Sequence, residues 1–290
     1  MPSYDFDLQR YIARRKGLRE AEAREGAAYA YSGDIKVLRT LDKLRPVTMA
    51  IEATVKLWRQ SARAELLGTS IRASERQFPR VSALGQRAAE ALHVAPPIVY
   101  VSAQAMPVPI YTFGTEDESA IVMHGALVDE LSDQELLFAI GHECGHVQNG
   151  HVLFRTALYF LRHSASSFVR WIVTPAVAAL DAWSRRADVT GDRAGLLCLR
   201  DVDLACIALT KVALGTSAAA PPPVDAEKPG EGDGAGAPQV GLREAEVARR
   251  VSALRAFGES AYFRGVVGQQ GGYPPEACDE RVAEILSKGA

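Results

Sequence analysis

Residues 131–151 read LSDQELLFAIGHECGHVQNGH. Nearly every signal for a helix and for a chemical site in this chain is concentrated there. Ser132, Asp133, Gln134 and Glu135 spell a capping box, with Ser132 as N-cap and Glu135 at the third helical position. Leu131 and Leu136 occupy the two positions of a hydrophobic staple, and Asn149-Gly150 is a natural stop. Inside this predicted helix lies His142-Glu143-Cys144-Gly145-His146, an HExxH pattern. Residues four apart on a helix are neighbours at about 5–6 Å between Cβ atoms, so both imidazoles can reach one Zn²⁺. Glu143 follows the first histidine and can face a water at the metal rather than the metal itself. Zinc lowers the pKa of such a water towards neutrality, and a carboxylate beside it can take the proton. With only six histidines in the chain, such a window arises by chance in about one chain of this size in a hundred. The bland alternative is a pair of surface histidines with a solvated glutamate. Cys144 points about 200° away from His142 and reads as a small buried apolar residue.

The surrounding chain alternates helices and a few strands. Before the motif, helical segments are expected at 5–30, 34–45 and 47–67, with breaks at Gly33 and Pro46 and a stop at Gly68. A further helix runs from Pro79 to about His93. Pro96-Pro97 then forces an extended chain at 98–101, and two more short strands fall at 110–113 and 120–124 around a turn at 114–118. After the motif, helical patterns cover 152–162, an apolar 168–183 and 183–214. Residues 216–241 change character: 16 of the 26 are Pro, Gly or Ala and none is aromatic, the composition of a flexible linker or loop. Helical periodicity returns at 242–257 and 279–287.

Composition narrows the class. Of 290 residues, 48% are hydrophobic and 23% charged, with 33 Lys+Arg against 35 Asp+Glu for a net charge of −2. These values exclude a collagen-like, wholly disordered or polytopic membrane chain. Residues 1–100 are basic (17 − 11 = +6) and 101–290 acidic (16 − 24 = −8). A basic third can face an anionic surface or nucleic acid, but Arg14, Arg15, Lys16 and Arg19 are interleaved with Glu20, Glu22 and Glu25, the pattern of solvated helix faces. No nucleic-acid partner is expected. Four cysteines without a CxxC pair suggest no disulfide framework. The start, MPSYDFDLQRYIARRKG, offers no apolar signal run. The longest strongly apolar uncharged run, 171–180, contains Pro175 and falls short of the ~20 residues that span a bilayer. A cytoplasmic chain without a transmembrane segment is expected, with peripheral membrane contact through 168–183 left open.

HExxH requires a third protein ligand. The pattern HExxHxxGxxH would place a histidine at 152, which is Val152, and His151 falls one position early. A better source is Ser184-Arg185-Arg186-Ala187-Asp188-Val189-Thr190-Gly191-Asp192. Asp188 and Asp192 lie four apart and share a helix face. One can ligate zinc while the other accepts a hydrogen bond from a ligand histidine and fixes its tautomer; a pair of exposed acids balanced by Arg185, Arg186 and Arg193 is the plainer alternative.

Taken together, LSDQELLFAIGHECGHVQNGH and SRRADVTGDRAG some 40 residues later resemble the HtpX and CAAX-prenyl-protease type of zinc metallopeptidases. A weaker similarity extends to Tyr273-Pro274-Pro275 and Arg281. The resemblance, over about residues 80–215, implies an α+β, zincin-like fold: mostly helical, with a small β-sheet, an HExxH active-site helix and a second ligand-bearing helix. It also implies His142, His146 and Asp188 as ligands of one Zn²⁺ per chain, Glu143 as general base and Asp192 as support for the site. Three positions depart from the family pattern. Asp188 stands for the usual Glu, so the ligand arm is one methylene shorter and the second helix must come closer. Gly191 stands for Ala and permits closer packing. Tyr273 stands where the family often has His.

The remaining candidates are weaker. His124, at a strand end before the active-site helix, can hydrogen-bond a bound peptide, although a strand-end histidine without a catalytic role is the simpler reading. Tyr111, Tyr273, Arg186 and Arg281 are candidate donors to a tetrahedral oxyanion. The strand at 120–124 is expected to form the cleft rim, where an extended polypeptide substrate would add as a further strand. The expected organisation is an N-terminal helical region (1–78), a metallopeptidase domain (79–215), a linker (216–241) and a C-terminal helical segment (242–290) packing on that domain. The expected activity is zinc-dependent endopeptidase. Its rivals are a zinc-stabilised interaction protein without catalysis, motivated by the short Asp188 arm and the unassigned oxyanion donor, and a peptidase held latent by its N-terminal helices or linker.

Overall fold

The capping box at Ser132 forms as its spacing requires. Ser132 Oγ accepts from the Glu135 N–H at 3.3 Å, and the Ser132 N–H donates to Glu135 Oε2 at 2.8 Å. The computed structural model containing it describes residues 27–41, 43–58, 63–104, 107–115, 118–163, 167–215 and 237–287. Its helices are α1 (Ser32–Leu41), α2 (Arg45–Leu57), α3 (Arg63–Gly68), α4 (Pro79–Leu92), α5 (Gly125–Glu130), α6 (Asp133–Gln148), α7 (Val152–His163), α8 (Ser167–Leu199), α9 (Val202–Leu214), α10 (Ala237–Gly258), α11 (Ala261–Val266) and α12 (Pro275–Ser287). Its strands are β1 (Ser70–Arg72), β2 (Val99–Ser102), β3 (Ile110–Gly114) and β4 (Ser119–His124). The class is α+β, mostly helical with one small mixed sheet.

The sheet order is β1-β2-β4-β3, with β2 and β4 parallel and the outer pairs antiparallel. This corrects the expectation that residues 120–124 form the cleft rim. That strand, β4, is hydrogen-bonded on both sides, to β2 through Val99↔Ile121 and to β3 through Thr112↔Ile121. It has no free edge to offer a substrate. Sequence patterning locates strands, whereas their order depends on packing.

Several element boundaries also differ from expectation. The apolar 168–183 segment and the following ligand segment are a single helix, α8, which runs through Pro175. A proline inside a helix forfeits one backbone hydrogen bond, and here burial of Ala176, Leu180 and Trp183 against α1, α2 and α7 offsets that loss. Residues 176–183 of that segment therefore pack on the core. The helical run expected to continue to 214 instead breaks where Arg200 adopts a left-handed φ of 63° and Asp201 caps α9 by accepting from the Leu204 N–H. Of the expected helix at 5–30, residues 1–26 lie outside those described, and 27–30 form a turn. Residues 216–236 of the expected linker also lie outside, while 237–241 already belong to α10.

The main core joins α4, the sheet, α6, the C-terminal half of α8, α9 and α10. A second cluster holds α1 and α2 against α7 and α8 through Leu41, Val47, Leu158 and Trp183. At the centre of the molecule α6 lies against α8, and the residue pairing runs in opposite directions: Phe138 meets Gly195, whereas Gly145 meets Gly191 and Ala194. The two helices are therefore antiparallel, and Gly191 of α8 lies against the His142 ring. Among the described residues, no helix is long and apolar enough to cross a membrane.

Candidate metal centre

The α6 helix presents His142 and His146 one turn apart, and α8 presents Asp188 opposite them. One ligand atom from each lies within 4.8 Å of the others. His142 Nε2 and His146 Nε2 are 3.0 Å apart, and Asp188 Oδ1 is 4.0 Å from the first and 3.6 Å from the second. The other nitrogen of each ring is engaged elsewhere, His142 Nδ1 with Asp192 Oδ1 at 3.0 Å and His146 Nδ1 with His151 Nδ1 at 2.9 Å. Asp192 is an acceptor, so His142 carries its proton on Nδ1 and turns a bare Nε2 towards His146. Burial, reinforced by the positive charge of Arg155, pushes His146 well below the usual imidazole pKa and keeps it neutral. Two bare or neutral imidazole nitrogens and a carboxylate converging on one point fit a Zn²⁺ ion by donor type and number.

The short Asp188 arm reaches this point because the helices touch. A Cβ on Gly191 would lie 2.7 Å from His142 Cε1 and 2.8 Å from Nδ1, and one on Gly145 would lie 2.5 Å from Ala194 Cβ. No side chain larger than hydrogen fits at either position without movement. Asp192 holds the His142 ring in place, so Gly191→Ala must move the helix or the ring. We expect that substitution to destabilise the fold by about 1–3 kcal/mol and to weaken zinc binding about 10–100-fold. Adding Asp188→Glu should recover affinity by lengthening the arm across the wider gap. Zinc titration of wild type, the single variant and the double variant tests this; wild-type affinity in Gly191→Ala would show that the close approach is unnecessary.

Glu143 is buried beside the ligands, with Oε1 4.0 Å from His142 Nε2. Its Oε2 accepts from Thr112 Oγ1 on β3 at 2.6 Å. Arg155 of α7, itself buried, spans the two carboxylates: Nη1 donates to Asp188 Oδ1 at 2.9 Å and Nη2 to Glu143 Oε1 at 3.4 Å. Its guanidinium also lies over the Tyr111 ring, 4.1 Å from the centroid. Burial opposes the Arg155 charge, but Glu143, Tyr111 and Asp188 together push its pKa above the ordinary value. On the far side of His142, Arg250 of α10 grips Asp192 with two hydrogen bonds at 2.8 and 2.7 Å. Burial alone would raise the Asp192 carboxyl; Arg250 and His142 outweigh it and hold the group below the usual carboxylate range.

Sequence reasoning missed Arg155, Arg250 and Thr112. They arrive from other elements and carry no local pattern; the one available signal was the need of three clustered carboxylates for cations. The remaining candidates are engaged elsewhere. His124 Nδ1 accepts from the Ala126 N–H and caps α5. Arg186 donates to the Ala182 carbonyl. Arg281 pairs with Glu259 and lies over the Tyr273 ring, and the exposed Tyr273 shares a backbone bridge with Ser260. Neither Arg186 nor Arg281 shares one of these hydrogen bonds or ion pairs with His142, Glu143, His146 or Asp188 among the described residues. Tyr111 donates its hydroxyl to the Arg155 carbonyl at 2.8 Å, and burial pushes its pKa well up. Cys144 is buried in the core, where desolvation raises its thiol well above the usual value and leaves it inert.

Two antiparallel helices that converge a pair of histidines and an aspartate beside a buried glutamate, on a small mixed sheet, define an α+β protein with a candidate single-metal centre. The sequence comparison agrees with that class. Residues 75–256 match peptidase family M48, and the chain belongs to it. The plastoglobule-localized metallopeptidase 48, chloroplastic, of Arabidopsis thaliana is 32% identical over 156 residues, which cover 52% of this chain and 45% of that protein. The chain thus spans less than half the length of that relative. No solved structure gives a significant match.

Proposed function

We propose that this chain is a zinc-dependent endopeptidase. The observation that carries the reading is the convergence of His142, His146 and Asp188 within 4.8 Å. Those three residues would hold one Zn²⁺ per chain. When bound, zinc supplies a Lewis acid that polarises the scissile carbonyl and brings the pKa of water near 7. Glu143, fixed by Thr112 and Arg155, takes a proton from the attacking water as the new C–O bond forms. It then hands that proton to the departing amide nitrogen as the C–N bond breaks. Asp192, gripped by Arg250, keeps His142 in the ligating tautomer. The substrate is a polypeptide in extended form. In this reading residues 79–215 are the catalytic unit, with the described helices α1, α2 and α10 packed on it. The rival interaction protein draws on the short Asp188 arm and on the unassigned oxyanion donor; the close glycine contacts between α6 and α8 answer the first of these by bringing Asp188 to the histidines.

The expected result is one zinc per chain in wild type, cleavage of unfolded casein that stops on chelation and returns with zinc, and substoichiometric metal in His146→Ala and Asp188→Ala. Stoichiometric zinc with no cleavage would favour the interaction protein; no zinc in wild type would sink both readings. A cytoplasmic location belongs to the same proposal. The Arabidopsis relative is by name chloroplastic, and fractionation of the full chain tests the point.

A further inference from the structure

A histidine ligates a metal only through a ring nitrogen that carries no proton, and its other nitrogen decides which one that is. For His142 the decision is local, because Asp192 is an acceptor. For His146 it is not. Its Nδ1 meets His151 Nδ1, and either ring can donate there. The ambiguity is resolved one residue further out. His151 Nε2 lies 3.0 Å from Asp34 Oδ2, a short contact that is off the line of an ideal hydrogen bond. Asp34 is fully buried on α1 and is held from the remaining sides: Oδ1 accepts from Trp183 Nε1–H at 2.8 Å and Oδ2 from Thr190 Oγ1 at 2.7 Å. The edge contact of His151 with Trp183, 5.4 Å between ring centroids, pins the imidazole in register. With the Trp183 N–H and the Thr190 hydroxyl already donating to it, the Asp34 carboxylate faces His151 as an acceptor.

The chemistry then runs inward. An acceptor-only carboxylate places the His151 proton on Nε2. A neutral His151 therefore has its lone pair on Nδ1, so His146 must carry its own proton on Nδ1. That leaves His146 Nε2 bare, facing His142 Nε2.

We propose that Asp34 is a positioning residue of the metal centre, which acts through His151 to set the one His146 tautomer that can bind a metal. The proposal rests on the metal reading above. Asp34 lies outside the residues matched to family M48, 75–256. The helix α1 is accordingly a working part of the centre and not a cover over it.

Asparagine is the discriminating replacement. With its single oxygen held by the Trp183 N–H, the side chain introduced by Asp34→Asn turns an NH₂ group towards His151 Nε2, which must then accept. His151 would donate from Nδ1, and the His146 proton would move to Nε2. Imidazole ¹⁵N resonances of the full-length protein should therefore show His146 protonated at Nδ1 in wild type and at Nε2 in Asp34→Asn. The zinc dissociation constant of Asp34→Asn should rise about 10–100-fold. Thr190→Val removes another hydrogen bond to the same carboxylate and should leave both readouts unchanged. Wild-type tautomer and affinity in Asp34→Asn would overturn the proposal. If that variant does not fold, His151→Phe carries the test: it keeps a ring against Trp183, and wild-type zinc affinity there would equally overturn it. Failure of the wild type to bind zinc would sink the proposed function instead, and the tautomer readout would still decide the role of Asp34.

Discussion

Glu143→Gln should lose peptide hydrolysis by a factor of about 10²–10⁴ while zinc content and melting temperature stay close to wild type. The surroundings of Glu143 explain why the fold tolerates the change. One carboxylate oxygen receives Arg155 Nη2 and the other receives Thr112 Oγ1, and that hydroxyl also lies 3.4 Å from the Glu143 carbonyl. A Gln side chain can keep its oxygen on Arg155 and turn its NH₂ to Thr112, whose hydroxyl then donates to the carbonyl instead. Every partner remains satisfied, and the ligands His142, His146 and Asp188 are untouched. Only the proton acceptor is gone. The loss should appear in kcat with KM little changed, the signature of an interaction made in the transition state alone. Full activity in Glu143→Gln, assayed on unfolded casein with metal content verified, would remove Glu143 from the mechanism.

The parts of this molecule that were legible in its sequence are those whose signals are local. The start and stop of α6 follow from Ser132, Glu135 and Asn149-Gly150, and helical periodicity turns the spacing of 142 and 146, or of 188 and 192, directly into proximity. Where long-range packing decides, the sequence was silent. The boundary expected at 183 does not exist, because α8 continues through the buried Leu180 and Trp183, and the actual break at Arg200 rests on a left-handed arginine that no residue preference announces. The three residues of β1 carry no alternation and form a strand only because β2 lies beside them. Residue type alone could not rank the candidate oxyanion donors for the same reason: Arg186 and Arg281 have the right chemistry but are engaged elsewhere, while Arg155 is placed between two carboxylates by the fold alone. Asp34 is the extreme case, a single acid on α1 whose contacts, Trp183 and Thr190, lie 149 and 156 residues away.

Arg155→Met should be the most destabilising single change at the centre. Met fills much of the same volume over the Tyr111 ring but brings no charge, and it leaves Glu143 and Asp188 without the guanidinium that now bridges them. Removing one partner from a buried ionic cluster costs about 3–5 kcal/mol, because the remaining charges stay desolvated and unpaired. For a chain of this size that corresponds to a fall in melting temperature of about 10 °C. Arg155→Lys should recover part of the loss, since it restores a cation but as a point charge that cannot span both carboxylates. Zinc supplies the discriminating measurement. An ion at His142, His146 and Asp188 adds two positive charges beside the same acids, and any ligand of the native state stabilises it by mass action. The zinc-induced rise in melting temperature should therefore be larger in Arg155→Met than in wild type. A variant that melts within a degree or two of wild type, or that gains no more from zinc, would mean that Arg155 does not carry the charge balance of the site.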